Sequence, residues 1–130
     1  MNTAEEVYII RYDPVLKAVI MTWNDYATSA QFRAGTELML ETLVAHKASK
    51  VLADIRSMEL IGKDDQHWLE NYFVPRAVDA GFRLLAIVQP ASYFSKVAVE
   101  SVSYKVNSEN LQISFFATRE EAERFLLAHE

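Results

Sequence analysis

The chain has 130 residues, 51% of them hydrophobic and 24% charged, with a formal net charge of −5. These are the proportions of a single globular domain, long enough to bury roughly two-thirds of its unfolded surface without help from a metal or a disulfide. Cysteine is absent, which excludes a disulfide framework and a thiolate metal site and fits a reducing cytoplasm. The N-terminus lacks the basic and apolar parts of a signal peptide, and no run approaches the ~18 apolar residues of a membrane span. With an acidic balance and no extended basic cluster, nucleic acid is not an expected partner.

Val7 to Tyr12 is rich in β-branched and aromatic residues and predicts a strand. Asp13-Pro14 fits a type I turn, and Leu16 to Trp23 predicts the returning strand of a hairpin. That second strand is apolar on both faces, with Leu16, Ala18 and Ile20 on one and Val19, Met21 and Trp23 on the other. A strand buried on both sides implies helices above and below the sheet. Thr28-Ser29-Ala30-Gln31 has the spacing of a capping box and opens a helix from about Ser29 to His46. Its apolar stripe is Phe32, Met39, Leu40 and Leu43, widened by Leu38 and Val44. Val51 to Ile55 is a short, nearly continuous apolar run, as in a buried central parallel strand, and it ends in Asp54, Arg56 and Ser57.

After a loop with Gly62, Asp64 or Asp65 is expected to cap the next helix, with Trp68, Leu69, Tyr72 and Phe73 as its buried face. Pro75 falls inside that pattern and predicts a kink or a break. Gly81 stops the helix, and Leu84 to Val88 forms another buried parallel strand. Ser92 caps a candidate third helix along Phe94, Ala98, Val99, Val102 and Val106. Leu111, Ile113 and Phe115 alternate with polar residues, as on a half-exposed edge strand. Thr118 to Glu121 is a second capping box, opening a last helix with Ala122, Phe125 and Leu126 on its inner side. The order β-β-α-β-α-β-α-β-α gives an α/β class. The expected architecture is one domain over residues 1–130, a single mixed five-stranded sheet with helices on both faces.

Several stretches together carry a family likeness. They are Leu16 to Trp23, His46 to Arg56, Asp65-Gln66-His67-Trp68-Leu69, Phe73-Val74-Pro75-Arg76-Ala77 and Glu120-Glu121-Ala122. In these the chain resembles the SpoIIAA-like proteins, a branch of the STAS superfamily that is also similar to lipid-carrying CRAL-TRIO domains. The resemblance implies a STAS-like fold and a regulatory or binding role without catalysis. In the better-studied relatives, a serine in an Asp-Ser-Ser/Thr-Gly-type motif after the central strand is phosphorylated. Here that place reads Asp54-Ile55-Arg56-Ser57-Met58-Glu59, without the paired hydroxyls or the glycine.

Asp54 and Arg56 lie two apart and point to the same side of an extended chain, where they would line a polar cleft at the carboxyl end of the sheet. An arginine fork there suits a carboxylate or phosphate, unless the two side chains simply pair with each other. Trp23, Trp68, Tyr72, Phe73 and Tyr93 would either wall an apolar pocket beside that cleft, with Arg76 at its rim, or fill the core. His67 and Glu70 are neighbours on a helix, but further ligands at metal-site spacing are lacking, so no metal or cofactor is expected. No nucleophile elbow or glycine-rich phosphate loop is present, which leaves no enzymatic constellation. The expected function is a binding module acting through a protein partner or a second copy of itself. The alternative is a carrier or sensor of a small apolar or amphipathic ligand, which native mass spectrometry of the purified protein would reveal.

Overall fold

The computed structural model describes residues 7–25, 27–58, 62–88 and 111–129, and within these the side chains of Asp25, Ser57 and Met58 are not described. The helix expected after Ser92, together with Tyr93, lies outside the described residues. The elements in chain order are β1 (Tyr8–Asp13), β2 (Ala18–Asp25), α1 (Ser29–Ala45), β3 (Lys50–Met58) and α2 (Lys63–Trp68). A π-helical turn (Leu69–Phe73) joins α2 to α3 (Val74–Asp79). Next come β4 (Leu84–Val88), β5 (Gln112–Phe116) and α4 (Arg119–Ala128). The five strands form one sheet in the order β1-β2-β3-β4-β5. β1 runs antiparallel to β2, and the other neighbours are parallel.

The hairpin turn is set by Asp13, whose Oδ1 accepts the amides of Val15 and Leu16 at 2.9 and 3.1 Å. The α1 capping box forms as its spacing predicts: Thr28 Oγ1 accepts from the Gln31 amide, and the Thr28 amide donates back to Gln31 Oε1. Thr118 accepts from the Glu121 amide at the start of α4. α3 closes in a Schellman motif, with the Gly81 and Phe82 amides donating to Val78 and Ala77 carbonyls. Gly81 takes the positive φ of 116° that this closure requires.

The sheet separates two cores. Crossovers of one hand that step in one direction across a sheet fall on one face. Accordingly α1 and the α2–α3 run both pack on the face that carries Val19, Met21, Trp23, Val51, Ala53 and Ile55. α4 packs through Ala122 and Leu126 on the opposite face, against Ala18, Ile20, Leu52, Ala86 and Val88. The two-sided pattern of β2 thus reports its position. Lys50, at the amino end of β3, is buried, and its Nζ donates to the carbonyl of Leu126 at 2.8 Å and to that of His129, closing the last turn of α4.

Three local expectations are corrected. Leu38 and Val44 do not widen the buried face of α1 but stand 40% and 51% exposed. The buried stripe of α1 runs through Phe32, Gly35, Thr36, Met39, Leu40 and Leu43. Neither Asp64 nor Asp65 caps α2; Gly62 holds that position without a side-chain bond. The Asp65 carboxylate is instead taken by Ser29 Oγ at 2.6 Å and Arg33 Nε at 2.9 Å. Of the kink or break expected at Pro75, the break does not occur. The Val74 amide reaches back five residues to the Leu69 carbonyl, and the wider π turn carries the chain past the proline ring and its missing donor.

Candidate functional site

The residues singled out in the sequence fall on opposite faces of the sheet. Asp54 pairs in register with Thr22 and Val88, on the α4 face. β2 and β3 then shift register between Thr22 and Asn24, so Ile55 and Arg56 together oppose the single residue Trp23. This bulge removes the Arg56 amide from the regular ladder, and Asp54 Oδ1 accepts it at 3.2 Å. The guanidinium completes the pair: Arg56 Nε donates to Oδ1 at 3.0 Å and Nη2 to Oδ2 at 2.7 Å. The carboxylate side chain is 7% exposed, the guanidinium 48%. Burial pushes the Asp54 carboxyl up, but the hydrogen bonds from the Arg56 side chain and amide outweigh it. With the charges of Arg56 and Arg119 they hold the group below the ordinary carboxylate range. Asp54 and Arg56 thus satisfy each other. Ser57 continues β3 opposite Asn24, and its side chain is not among those described.

Trp23, Trp68, Tyr72 and Arg76 lie on the α1 face, across the sheet from Asp54 and Arg56, so the described residues do not bring the two groups together. Trp23 is 2% exposed and packs on Tyr8 and Phe32. It belongs to the core, as does Phe73. Trp68, Tyr72 and Arg76 do come together. The α2–α3 run carries two adjacent rows at four-residue spacing. Asp65, Leu69, Phe73 and Ala77 form the inner row, and Trp68, Tyr72 and Arg76 the outer one. The sequence predicts Tyr72 on the buried face; it is 53% exposed because it belongs to the outer row.

Facing that row is a polar row of α1 that sequence reasoning missed: Ser29, Arg33 and Glu37, again four apart. Arg33 bonds Asp65 and lies 5.3 Å over the Trp68 ring. Arg76 lies 4.6 Å over the Tyr72 ring and holds Glu37 through two hydrogen bonds of 2.8 Å. The Arg76 hydrogen bond and charge lower the Glu37 carboxyl despite its slight burial. Each arginine is thereby fixed by a carboxylate while its flat face covers an aromatic ring. Trp68 and Tyr72 are 6.1 Å apart between centroids, which makes one continuous ridge of two adjacent rings with a guanidinium over each. The four-residue spacing of Ser29, Arg33 and Glu37 was visible in the sequence, but nothing local assigned their partners.

The hollows described in the structure lie elsewhere. One of about 410 Å³ runs along Glu120, Glu123, Arg124 and Leu127, and one of about 260 Å³ lies at the amino end of β3. Among the described residues no group of three histidine, aspartate or glutamate side chains is placed to hold a metal, and no helix is long and apolar enough to cross a membrane. No family model matches the chain, and no curated protein is significantly similar to it.

Proposed function

We propose that the chain is a STAS-like binding module without catalytic chemistry of its own, acting through protein–protein contact on the Arg33–Trp68–Tyr72–Arg76 ridge. The observation that carries this reading is Tyr72: half-exposed, covered on one side by a fixed arginine, and mounted on a π turn. Exposed tyrosine, tryptophan and arginine are the residue types that anchor protein interfaces. Their rotamers here are already held by Glu37 and Asp65, so little freedom is left to lose on docking. π turns are over-represented at functional sites. The reading of a small apolar ligand has less support, because Trp23 packs on Phe32, and Phe32 and Phe73 both pack on Trp68.

The test is capture of a partner by the immobilised chain, with light scattering of the chain alone to detect self-association. Tyr72→Ala combined with Arg76→Ala should abolish the complex, whereas Asp54→Ala should leave it intact. Retention of binding by the double variant, or loss only in Asp54→Ala, would move the contact surface to the other face.

A further inference from the structure

We infer that the hollow between the β1–β2 turn and the α1–β3 loop is an anion site of the phosphate-monoester class, built by Lys17, Lys47 and Lys50. It lies at the amino end of the parallel strands, away from the carboxyl end where the sequence directed attention and independent of the ridge above. Its volume is about 260 Å³, and its lining is Tyr12, Lys17, Lys47, Ala48, Ser49 and Lys50. This is slightly below the roughly 300–1,000 Å³ of pockets for drug-sized ligands, which suits a small ligand.

The backbone marks this hollow out. Among the described residues only two that are not glycine have positive φ, Lys17 at 57° and Lys47 at 53°, and both line it. The left-handed region is unfavourable for a lysine and easy for glycine or asparagine. Lys47 stands at the C′ position of a second Schellman motif: its amide donates to Val44 O at 3.1 Å, and that of Ala48 to Leu43 O at 2.9 Å. α3 ends in the same motif with Gly81. Lys17 closes the four-residue loop between Asp13 and Ala18, another position where glycine or asparagine fits most easily. Backbone strain of this kind clusters at functional sites. Here it falls on two cationic residues that line one hollow.

The charges are available. Neither Lys17 nor Lys47 has a carboxylate partner among the described residues. Asp13, in the same turn, is engaged by the Val15 and Leu16 amides and lies 3.7 Å from Arg11. Lys50 is buried in the wall; two of its three donors go to the carbonyls of Leu126 and His129, and the third has no partner among the described residues. Three lysines lining one small hollow, in a chain of net charge −5, focus a local positive potential. Lysine acts as a point charge toward phosphate, and two ammonium groups without a carboxylate among the described residues match a dianion.

The test is amide NMR of the full chain titrated with inorganic phosphate at constant ionic strength, with sodium chloride and succinate as parallel titrants. Saturable shifts at Lys17 and at Lys47 to Lys50 with phosphate, and not with chloride, are expected. Lys17→Asn and Lys47→Asn keep a residue that tolerates the left-handed backbone while removing the charge. Each should weaken phosphate binding about tenfold without lowering the melting temperature. Linear shifts shared with chloride, phosphate affinity unchanged in the asparagine variants, or tighter binding of succinate than of phosphate would each overturn the assignment.

Discussion

Two bidentate arginine–carboxylate pairs sit on opposite faces of the sheet, and they differ in what surrounds them. Arg56–Asp54 is local, two residues apart on one strand, with a carboxylate 7% exposed. Arg76–Glu37 spans two helices, with side chains 40% and 32% exposed. Each arginine makes two hydrogen bonds to its carboxylate, Arg56 side-on through Nε and Nη2 and Arg76 end-on through Nη1 and Nη2. The first pair makes a buried charge tolerable; the second positions a surface arginine over Tyr72. An equal number of side-chain hydrogen bonds therefore does not mean equal energetic weight: desolvation of the carboxylate decides it.

The largest expected effect tests that contrast directly. Arg56→Ala strands a buried carboxylate and should destabilise the fold by about 3 kcal/mol in urea denaturation. Asp54→Ala should cost less, because the half-exposed guanidinium returns to water. Arg76→Ala should leave stability close to wild type while impairing partner binding. Equal losses in Arg56→Ala and Arg76→Ala would erase the distinction.

A second prediction sharpens the division of the α1 face into an inner and an outer layer. A methyl group at Gly35 would meet the Trp23 ring at 2.7 Å and the Tyr8 ring at 3.0 Å. Gly35→Ala should therefore cost about 2 kcal/mol by overpacking, even though alanine favours a helix. Tyr72→Ala, on the outer row of that face, should leave the unfolding midpoint almost unchanged. The reverse order would place Trp23 at the surface and Tyr72 in the core.

A third, smaller effect concerns acid. The folded-state carboxyl of Asp54 lies below its ordinary value. Its stabilisation is then complete above the unfolded value, near 4, and is lost as pH falls through the lower folded value. Without Arg56 the buried group would be driven upward and relieved by protonation. The stability gap between wild type and Arg56→Ala should be largest near neutrality, begin to shrink above about pH 4 as the raised carboxyl of the variant takes its proton, and go on shrinking down to the lowered folded value of the wild type. A gap that widens on acidification would contradict the assigned direction.

Much of the fold was legible because its determinants are local. The apolar runs of β2, β3 and β4, the hydroxyl caps Thr28 and Thr118, and Gly81 at its C′ position each act within a few residues. The alternation along β3 also set Asp54 and Arg56 apart from Val51, Ala53 and Ile55. The sequence did not show which helices cover which side, since that follows from the strand order. The α2–α3 run lies across from Asp54 because β2, β3 and β4 step in one direction. Asp65 resembled a helix cap, yet its partners Ser29 and Arg33 are 36 and 32 residues away. Pro75 signalled a missing donor but not the π turn that absorbs it, and hence not which of Trp68, Tyr72 and Phe73 would stay exposed. The left-handed lysines looked like ordinary surface charges, because φ is not written in residue type.

The most direct measurement is site-specific photo-crosslinking, with a photoreactive residue placed at position 72 in one variant and at position 56 in another. The contact-surface account predicts one discrete adduct from position 72, with a partner or a second copy of the chain, and none from position 56. An adduct from position 56 with position 72 silent would contradict it.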